Sequence, residues 1–419
     1  MVVRPHPLIF DWNRDTVAAP PPVAMLDDET LRDGLQSPSV RTPSIDQKIE
    51  ILRHMDGLGI DTADIGLPGA GPRVAEDVER LARAIADQRL NIRANCAART
   101  VVADITPVVD IVQRTGVPIE VCTFIGSSPI RQYAEGWTID YLRQATETAI
   151  SFAVKEGLRV MFVTEDTTRA DPEQLRLLYA TAIRAGASRL CIADTVGHAT
   201  PRGATAVVHF VKALVAELGA DVGIDWHGHR DRGFGVASSI AALEAGATRL
   251  HGAALGIGER CGNTAIDLLL VNLAMMGYTD RDLTGLPEYC HLVARACHLR
   301  IPPNYPVIGA DAFRTATGVH AAAVVKAFRK GDRALMDAVY AGVPASLVGR
   351  EQEIEVGPMS GRSNVIFWLE KHGLPATDGL VDRIFAAAKA SNRTLTHEHI
   401  LKIVEESRLP EETGVTSSR

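Results

Sequence analysis

The sequence has no Cys-x-x-Cys pair, no run of basic residues and no apolar stretch as long as a membrane span. Each absence removes a class. The six cysteines, Cys96, Cys122, Cys191, Cys261, Cys290 and Cys297, are scattered, several within apolar runs such as RLCIAD. Reduced, buried thiols in a cytoplasmic protein are the expectation. Lys and Arg number 44 against 51 Asp and Glu, giving a formal net charge of −7. Proteins that grip nucleic acid by its phosphates carry a basic face and a basic total, so no nucleic-acid partner is expected. With no spanning stretch and no charged-then-apolar start, no membrane partner is expected either. A glycine-rich phosphate turn after the first candidate strand is also missing. ETLRDGLQ stands there instead, which speaks against a doubly wound open sheet.

What is present is a rhythm. After a proline-rich arm over 1–22, short apolar or β-branched runs alternate with longer amphipathic ones. The patterning predicts strands at 23–28, 62–67, 91–96, 118–125, 159–166, 189–195, 222–229 and 249–256. Helices are predicted at 44–59, 72–88, 139–156, 172–186, 201–219, 233–246 and 262–277, with a weaker pattern at about 101–115. The first opens on Ser-x-x-Gln, resembling a capping box. The fourth opens with proline and closes on glycine. Strand–helix pairs at roughly thirty-residue spacing argue for a (β/α)8 TIM barrel over 23–285. The rhythm then stops. Helices at about 319–328, 332–339, 363–372, 379–392 and 397–406 predict an all-helical C-terminal extension of two small subdomains, 286–345 and 346–419. The tail PEETGVTSSR reads as disordered.

A barrel places its chemistry at the C-terminal ends of its strands, and polar clusters stand there. In DWHGHRDRG, His227 and His229 are two apart on the seventh strand, so they face one side. Two imidazoles so placed can ligate one divalent ion; two surface histidines at a loop mouth are the alternative. DDETLRDGLQ, after the first strand, offers a carboxylate to complete the pair, and Arg32 to neutralise an oxyanion. Alone it would read as an acidic loop with a salt bridge. A mixed nitrogen and oxygen site suits Mg2+, Mn2+ or Zn2+ and leaves positions open for substrate. LGIGERCGN, after the eighth strand, has glycines that let backbone approach a ligand, and Asn263 can offer a carbonyl oxygen to a metal. VTEDTTR and ADTVGHATP bring Glu165, Asp166, Asp194 and Thr195 to the same mouth, where helix caps are the alternative reading.

Together, ETLRDGLQ, ADTVGHATP, HGHRD…GVASSIAALEAGA and GIGERCGN resemble, in order, signatures of the metal-dependent acyl-CoA aldol family. That family includes isopropylmalate, homocitrate and citramalate synthases and, more distantly, hydroxymethylglutaryl-CoA lyase. The resemblance covers about residues 23–370. It implies Asp33 as the metal carboxylate, His227 and His229 as imidazole ligands, and Asn263 as a fourth. It implies Arg32 as the catalytic arginine, Gln36 as a substrate contact and Thr195 as holder of the 2-oxo acid carboxylate. FRTATGVHAAAVVK resembles the segment carrying a catalytic histidine, here His320, although relatives usually read SGIH where this chain has TGVH. Tyr340, in YAGVPASLVG, matches a tyrosine that reaches a neighbouring active site. A homodimer, whose helical extension completes the partner's site, is therefore implied.

The activity so implied is condensation of acetyl-CoA with a 2-oxo acid, giving a 2-substituted malate and CoA. His320 and Glu165 are both candidates for moving protons, and Arg32 for stabilising negative charge. The alternative is lyase-like cleavage of a 3-hydroxyacyl-CoA. The lyases' cysteine-containing GGCPY-type loop is missing from AALGIGERCGN, which favours a synthase. The chain ends soon after the helices, so feedback control by a large regulatory domain is not expected. A silent scaffold barrel would not keep Asp33, His227 and His229 together. For the substrate's far end, Arg99 in CAARTV can pair with a distal acid group, a structural salt bridge being the alternative, and His198 is placed to line the pocket. An anionic distal group is the resulting expectation.

Overall fold

A computed structural model describes residues 6–13 and 24–407. The expected disordered tail, and all but 6–13 of the expected arm, lie outside these residues. The described chain forms two units, one running to Ile301 and one from Pro302 onward that also takes in residues 6–10.

The first unit is a barrel closed by eight parallel strands in chain order. They are β1 (Met25–Asp28), β2 (Thr62–Asp64), β3 (Arg93–Arg99), β4 (Ile119–Gly126), β5 (Arg159–Glu165), β6 (Arg189–Asp194), β7 (Gly223–Gly228) and β8 (Arg249–Gly252). Register closes the circle, with Leu26 opposite Leu250. Around it stand α1 (Ile45–Gly57), α2 (Pro72–Asp87), α3 (Val102–Thr115), α4 (Pro129–Glu135), α5 (Ile139–Lys155), α6 (Pro172–Ala185), α7 (Pro201–Glu217), α8 (Gly235–Ala245), α9 (Ile266–Met275) and α10 (Leu286–Ala296). Local chemistry sets their ends. Ser44 and Gln47 form the capping box on α1. Asp171 caps α6 ahead of Pro172, and Gly186 ends it in the left-handed region at φ 104°. In α3, Pro107 lacks the N–H that would bond back to Ala103, which explains the weak pattern there. The seven-residue α4, capped by Ser128, is not among the predicted helices. It is too short to show an amphipathic period.

Two expectations need correction. The first unit does not end at 285, because α10 belongs to it. Tyr289 of α10 is fully buried and donates its hydroxyl to Asp28 Oδ2 at 2.5 Å. The helix therefore packs beside α1 against the end of β1. Nor is the second unit all helical. β9 (Arg314–Thr315) pairs in parallel with β10 (Glu353–Ile354), beside α11 (Gly318–Arg329), α12 (Arg333–Ala338), α13 (Arg362–Lys371), α14 (Asp378–Ala390) and α15 (His397–Glu406). It is one unit without a division at 345/346. Two apolar clusters meet at α13: Phe367 packs with Ala321, Val324 and Ile354, whereas Val365 and Leu369 pack with Val381, Ile384 and Ile400. No helix among the described residues is long and apolar enough to cross a membrane.

The interior of the strand barrel is charged where aliphatic layers are usual. Fully buried Arg249 donates to Asp225 at 2.5 Å and to Glu120 at 2.6 Å. Arg189 also bonds Asp225. Around this network runs a polar set in which Asn95 and Thr62 both donate to Asp27.

Asp28 carries a pH-dependent part of the stability. Burial pushes its carboxyl up to about 7, against the bonds from Thr30 and Tyr289. A folded value above the unfolded one means the protonated group's contribution is complete below about pH 4 and is lost as pH rises through 7. Asp28→Asn keeps a neutral partner for Tyr289 and Thr30. Relative to the parent, it is expected to gain on the order of 2 kcal/mol between pH 5 and pH 8, read from urea midpoints. A constant difference across that range would show the group titrating normally.

Candidate active site

Strand alternation sends positions 161, 163 and 165 of β5, and the matching positions of its neighbours, into the barrel. At the C-terminal mouth their side chains line a cavity of about 510 Å³. Asp33, on the turn after β1, meets His227 and His229 at the end of β7. Its Oδ2 is 3.3 Å from the Nε2 of each histidine, and the two Nε2 atoms are 3.4 Å apart. All three residues are buried. An ion held at about 2.1 Å by three donors makes donor–donor edges of roughly 3.0–3.4 Å, so the triangle has the size a divalent cation needs. Burial pushes the Asp33 carboxyl up, but Arg32, His227 and His229 hold it well below the usual range. It is an anion as a ligand must be.

Asn263 completes the surroundings. It lies on an extended stretch bridged to His229, not inside a helix from 262; α9 starts only at Ile266. Its Nδ2 donates to Ile257 O at 3.0 Å, while its buried Oδ1 has no partner among the described residues. An orphaned carbonyl oxygen here fits a further ligand better than it fits a finished loop. The loop needs its glycines: Gly258 has φ 141°, and a Cβ there would stand 2.3 Å from Asn263 Nδ2.

Behind this triangle lies a layer that the sequence reading did not single out. Glu29 Oε1 is 3.3 Å from His227 Nδ1 and 3.0 Å from His251 Nδ1. His251 Nε2 is 3.0 Å from Asp225. Glu29, His227 and His251 also converge closely enough to hold an ion. Both His251 nitrogens already face carboxylates, however. Burial lowers the His251 pKa, but Asp27, Asp225 and Glu29 outweigh it and raise the value to about 10. A cationic imidazole with no free lone pair is a positioning group for Glu29 and His227, not a ligand. The signal was available: His251 has the strand parity of Arg249, and Glu29 lies three residues before Arg32.

Arg32 is clamped on the other side. Its Nε bonds Asp64 at 2.7 Å and its Nη2 bonds Glu29 at 2.5 Å. Nη1 approaches Asp33 only to 3.8 Å, leaving that nitrogen for an oxygen in the cavity. Beside ionised Glu29, burial pushes Asp64 up to about 8 despite Arg32.

The remaining expected residues separate. Gln36, Glu165 and Thr195 line the cavity with the triangle. Burial and nearby acids raise the Glu165 carboxyl against Arg131, 3.5 Å away. Thr195 Oγ1 accepts the N–H of Asp166 at 2.8 Å. Arg99 and His198 do not line the cavity. Arg99 forks onto Asp104 at 2.7 and 2.8 Å, so the salt-bridge alternative describes it. His198 is exposed, and its backbone N–H donates to Asp194. His320 and Tyr340 belong to the second unit, where their rings stack at 3.9 Å between centroids.

A family model described as HMGL-like matches residues 24–293. The chain is 33% identical over 369 residues to a probable 2-isopropylmalate synthase of Methanopyrus kandleri, covering 86% of this chain and 68% of that protein. It is 31% identical over 386 residues to a homocitrate synthase of Pyrococcus abyssi, covering 92% and 99%. Among solved structures, an HMG-CoA lyase of Bacillus subtilis superposes with a TM-score of 0.56 at 21% identity, covering 68% of this chain and 97% of that one.

Proposed function

Because the chain belongs to the HMGL-like family, we propose that it condenses acetyl-CoA with a 2-oxo acid, forming a 2-substituted malate and CoA. The observation that carries this reading is the buried triangle of Asp33, His227 and His229 beside the clamped Arg32. Extent of likeness supports synthase over lyase. The homocitrate synthase relative aligns over 92% of this chain, extension included, and the lyase structure over 68%.

Asp33, His227 and His229 would hold a divalent cation, Mg2+, Mn2+ or Zn2+, with Asn263 as a further ligand. When bound, such an ion polarises the ketone of a chelating 2-oxo acid. Glu29 keeps His227 oriented through Nδ1. Thr195 and Gln36 stand where the substrate's carboxylate end would rest. A base removes a methyl proton from acetyl-CoA, and Glu165, whose carboxyl burial raises, and His320 are the groups for that transfer. The resulting carbanion attacks the ketone carbon, and Arg32 Nη1 faces the negative charge that forms. The new alkoxide takes a proton. Water then adds to the thioester carbonyl, the carbon–sulfur bond breaks, and CoA leaves as the thiol. His320 and Tyr340 act in this reading from a partner subunit's extension, in a cytoplasmic homodimer.

The test is thiol release. Protein supplied with each cation in turn, acetyl-CoA and single 2-oxo acids is expected to free one CoA per 2-oxo acid consumed. Release of acetyl-CoA from a 3-hydroxyacyl-CoA, with no condensation, would establish the lyase reading instead.

A further inference from the structure

The cavity has a charged wall and an uncharged floor. The wall is the cation triangle with Arg32. The floor is built from β4, β5 and β6, where register sets Cys122 opposite Met161 and Val163 opposite Cys191. Cys122, Met161 and Cys191 form a buried apolar cluster with Val163 packed against it, and all four line the cavity. Burial pushes both thiols well up, so no thiolate charge arises there.

Among the described residues, the cations around the cavity are each already paired with acidic groups. Arg249 lies nearest the floor, its Nη2 3.1 Å from Met161 Sδ, but it is committed to Asp225 and Glu120. His251 is held by Glu29 and Asp225. Arg32 keeps one nitrogen for the reacting end. Arg131 pairs with Glu135 at 2.9 Å and faces Glu165. Arg99, the one residue from which an anionic distal group was expected, holds Asp104 outside the cavity.

Resting on the condensation reading above, we infer that the 2-oxo acid taken by this site carries a branched aliphatic side chain, seated on the floor of Cys122, Met161, Val163 and Cys191, and that 2-oxo acids with a second carboxylate are rejected. Polarisable sulfur and methyl groups gain by covering an aliphatic chain. A carboxylate moved there would lose its water and find no uncommitted donor among the described residues. The product is then a 2-alkylmalate with an uncharged substituent.

The experiment compares kcat/KM for 2-oxoisovalerate and 2-oxoglutarate with Mg2+ and acetyl-CoA. The branched acid is expected to win by more than about 100-fold; parity, or preference for 2-oxoglutarate, overturns the inference and leaves the condensation reading intact. Met161→Ala deepens the floor. It is expected to raise the ratio of 4-methyl-2-oxopentanoate over 2-oxoisovalerate about tenfold. That ratio does not depend on how much protein is folded, and an unchanged value overturns the floor assignment. If no 2-oxo acid releases CoA, the condensation reading fails. Calorimetric binding of the same acids with Mg2+ then decides separately. Binding of 2-oxoisovalerate without 2-oxoglutarate sustains the floor, and any other pattern, including no binding, removes it.

Discussion

The His229→Ala protein is expected to purify without stoichiometric divalent metal and to release CoA more slowly than the parent by well over about 100-fold. That figure is the upper end for loss of a mere outer partner of a metal ligand, and His229 is placed as a ligand itself. Its Nε2 stands 3.3 Å from Asp33 and 3.4 Å from its counterpart on His227. Its Nδ1 is buried without a hydrogen-bond partner among the described residues, so only the Nε2 contacts within the triangle are lost with the ring. The bridge to Asn263 is made by backbone and survives the substitution. Thermal unfolding is therefore expected to change by only a few degrees. Elemental analysis checks the metal and the thiol assay checks turnover. Normal metal content with normal rate would remove the triangle from the chemistry.

Arg32→Ala is expected to lose both activity and stability. Removing a single preorganised donor costs about 10² to 10³ in rate. The structural cost arises because Arg32 is clamped among Glu29, Asp33 and Asp64. Without it, buried carboxylates face one another, and breaking such a pairing costs roughly 3–5 kcal/mol. The deficit has a pH signature. Glu29 and Asp33 are held well below their ordinary values, against burial, by Arg32 and the histidines. Their contribution is present above the unfolded carboxylate value of about 4 and is lost as pH falls through the folded one. Without Arg32, burial raises these carboxyls above that unfolded value, so the variant's loss should grow as pH rises from 4.5 to 7.5. Urea midpoints at pH 4.5 and 7.5 read it. Full stability at pH 7.5 would mean that Arg32 serves the cavity alone.

The barrel was legible because its signals repeat. Eight short runs at regular spacing can hardly be read as another fold, and His227-x-His229 follows from strand parity. Asp33 and Asn263 were reached through motif likeness, since nothing in a loop's composition says which carboxylate turns inward. His251 and Glu29 were passed over because a histidine inside an apolar strand and one more acid in an acidic turn look ordinary until β1 and β8 are joined in register. Arg99 misled for the opposite reason. It ends a strand at the mouth, but Asp104, five residues on, claims its guanidinium. β9 and β10 have two residues each, too few to show alternation.

α13 gives the region after Ile301 its character. A helix that lends Phe367 to one apolar group and Val365 with Leu369 to another is a keystone. Neither half retains a complete lining if the other melts, so this unit is expected to denature as one cooperative block. Chimaeras with a relative would do best to exchange it whole, because a graft joined at 345/346 would transplant the keystone without half of its arch.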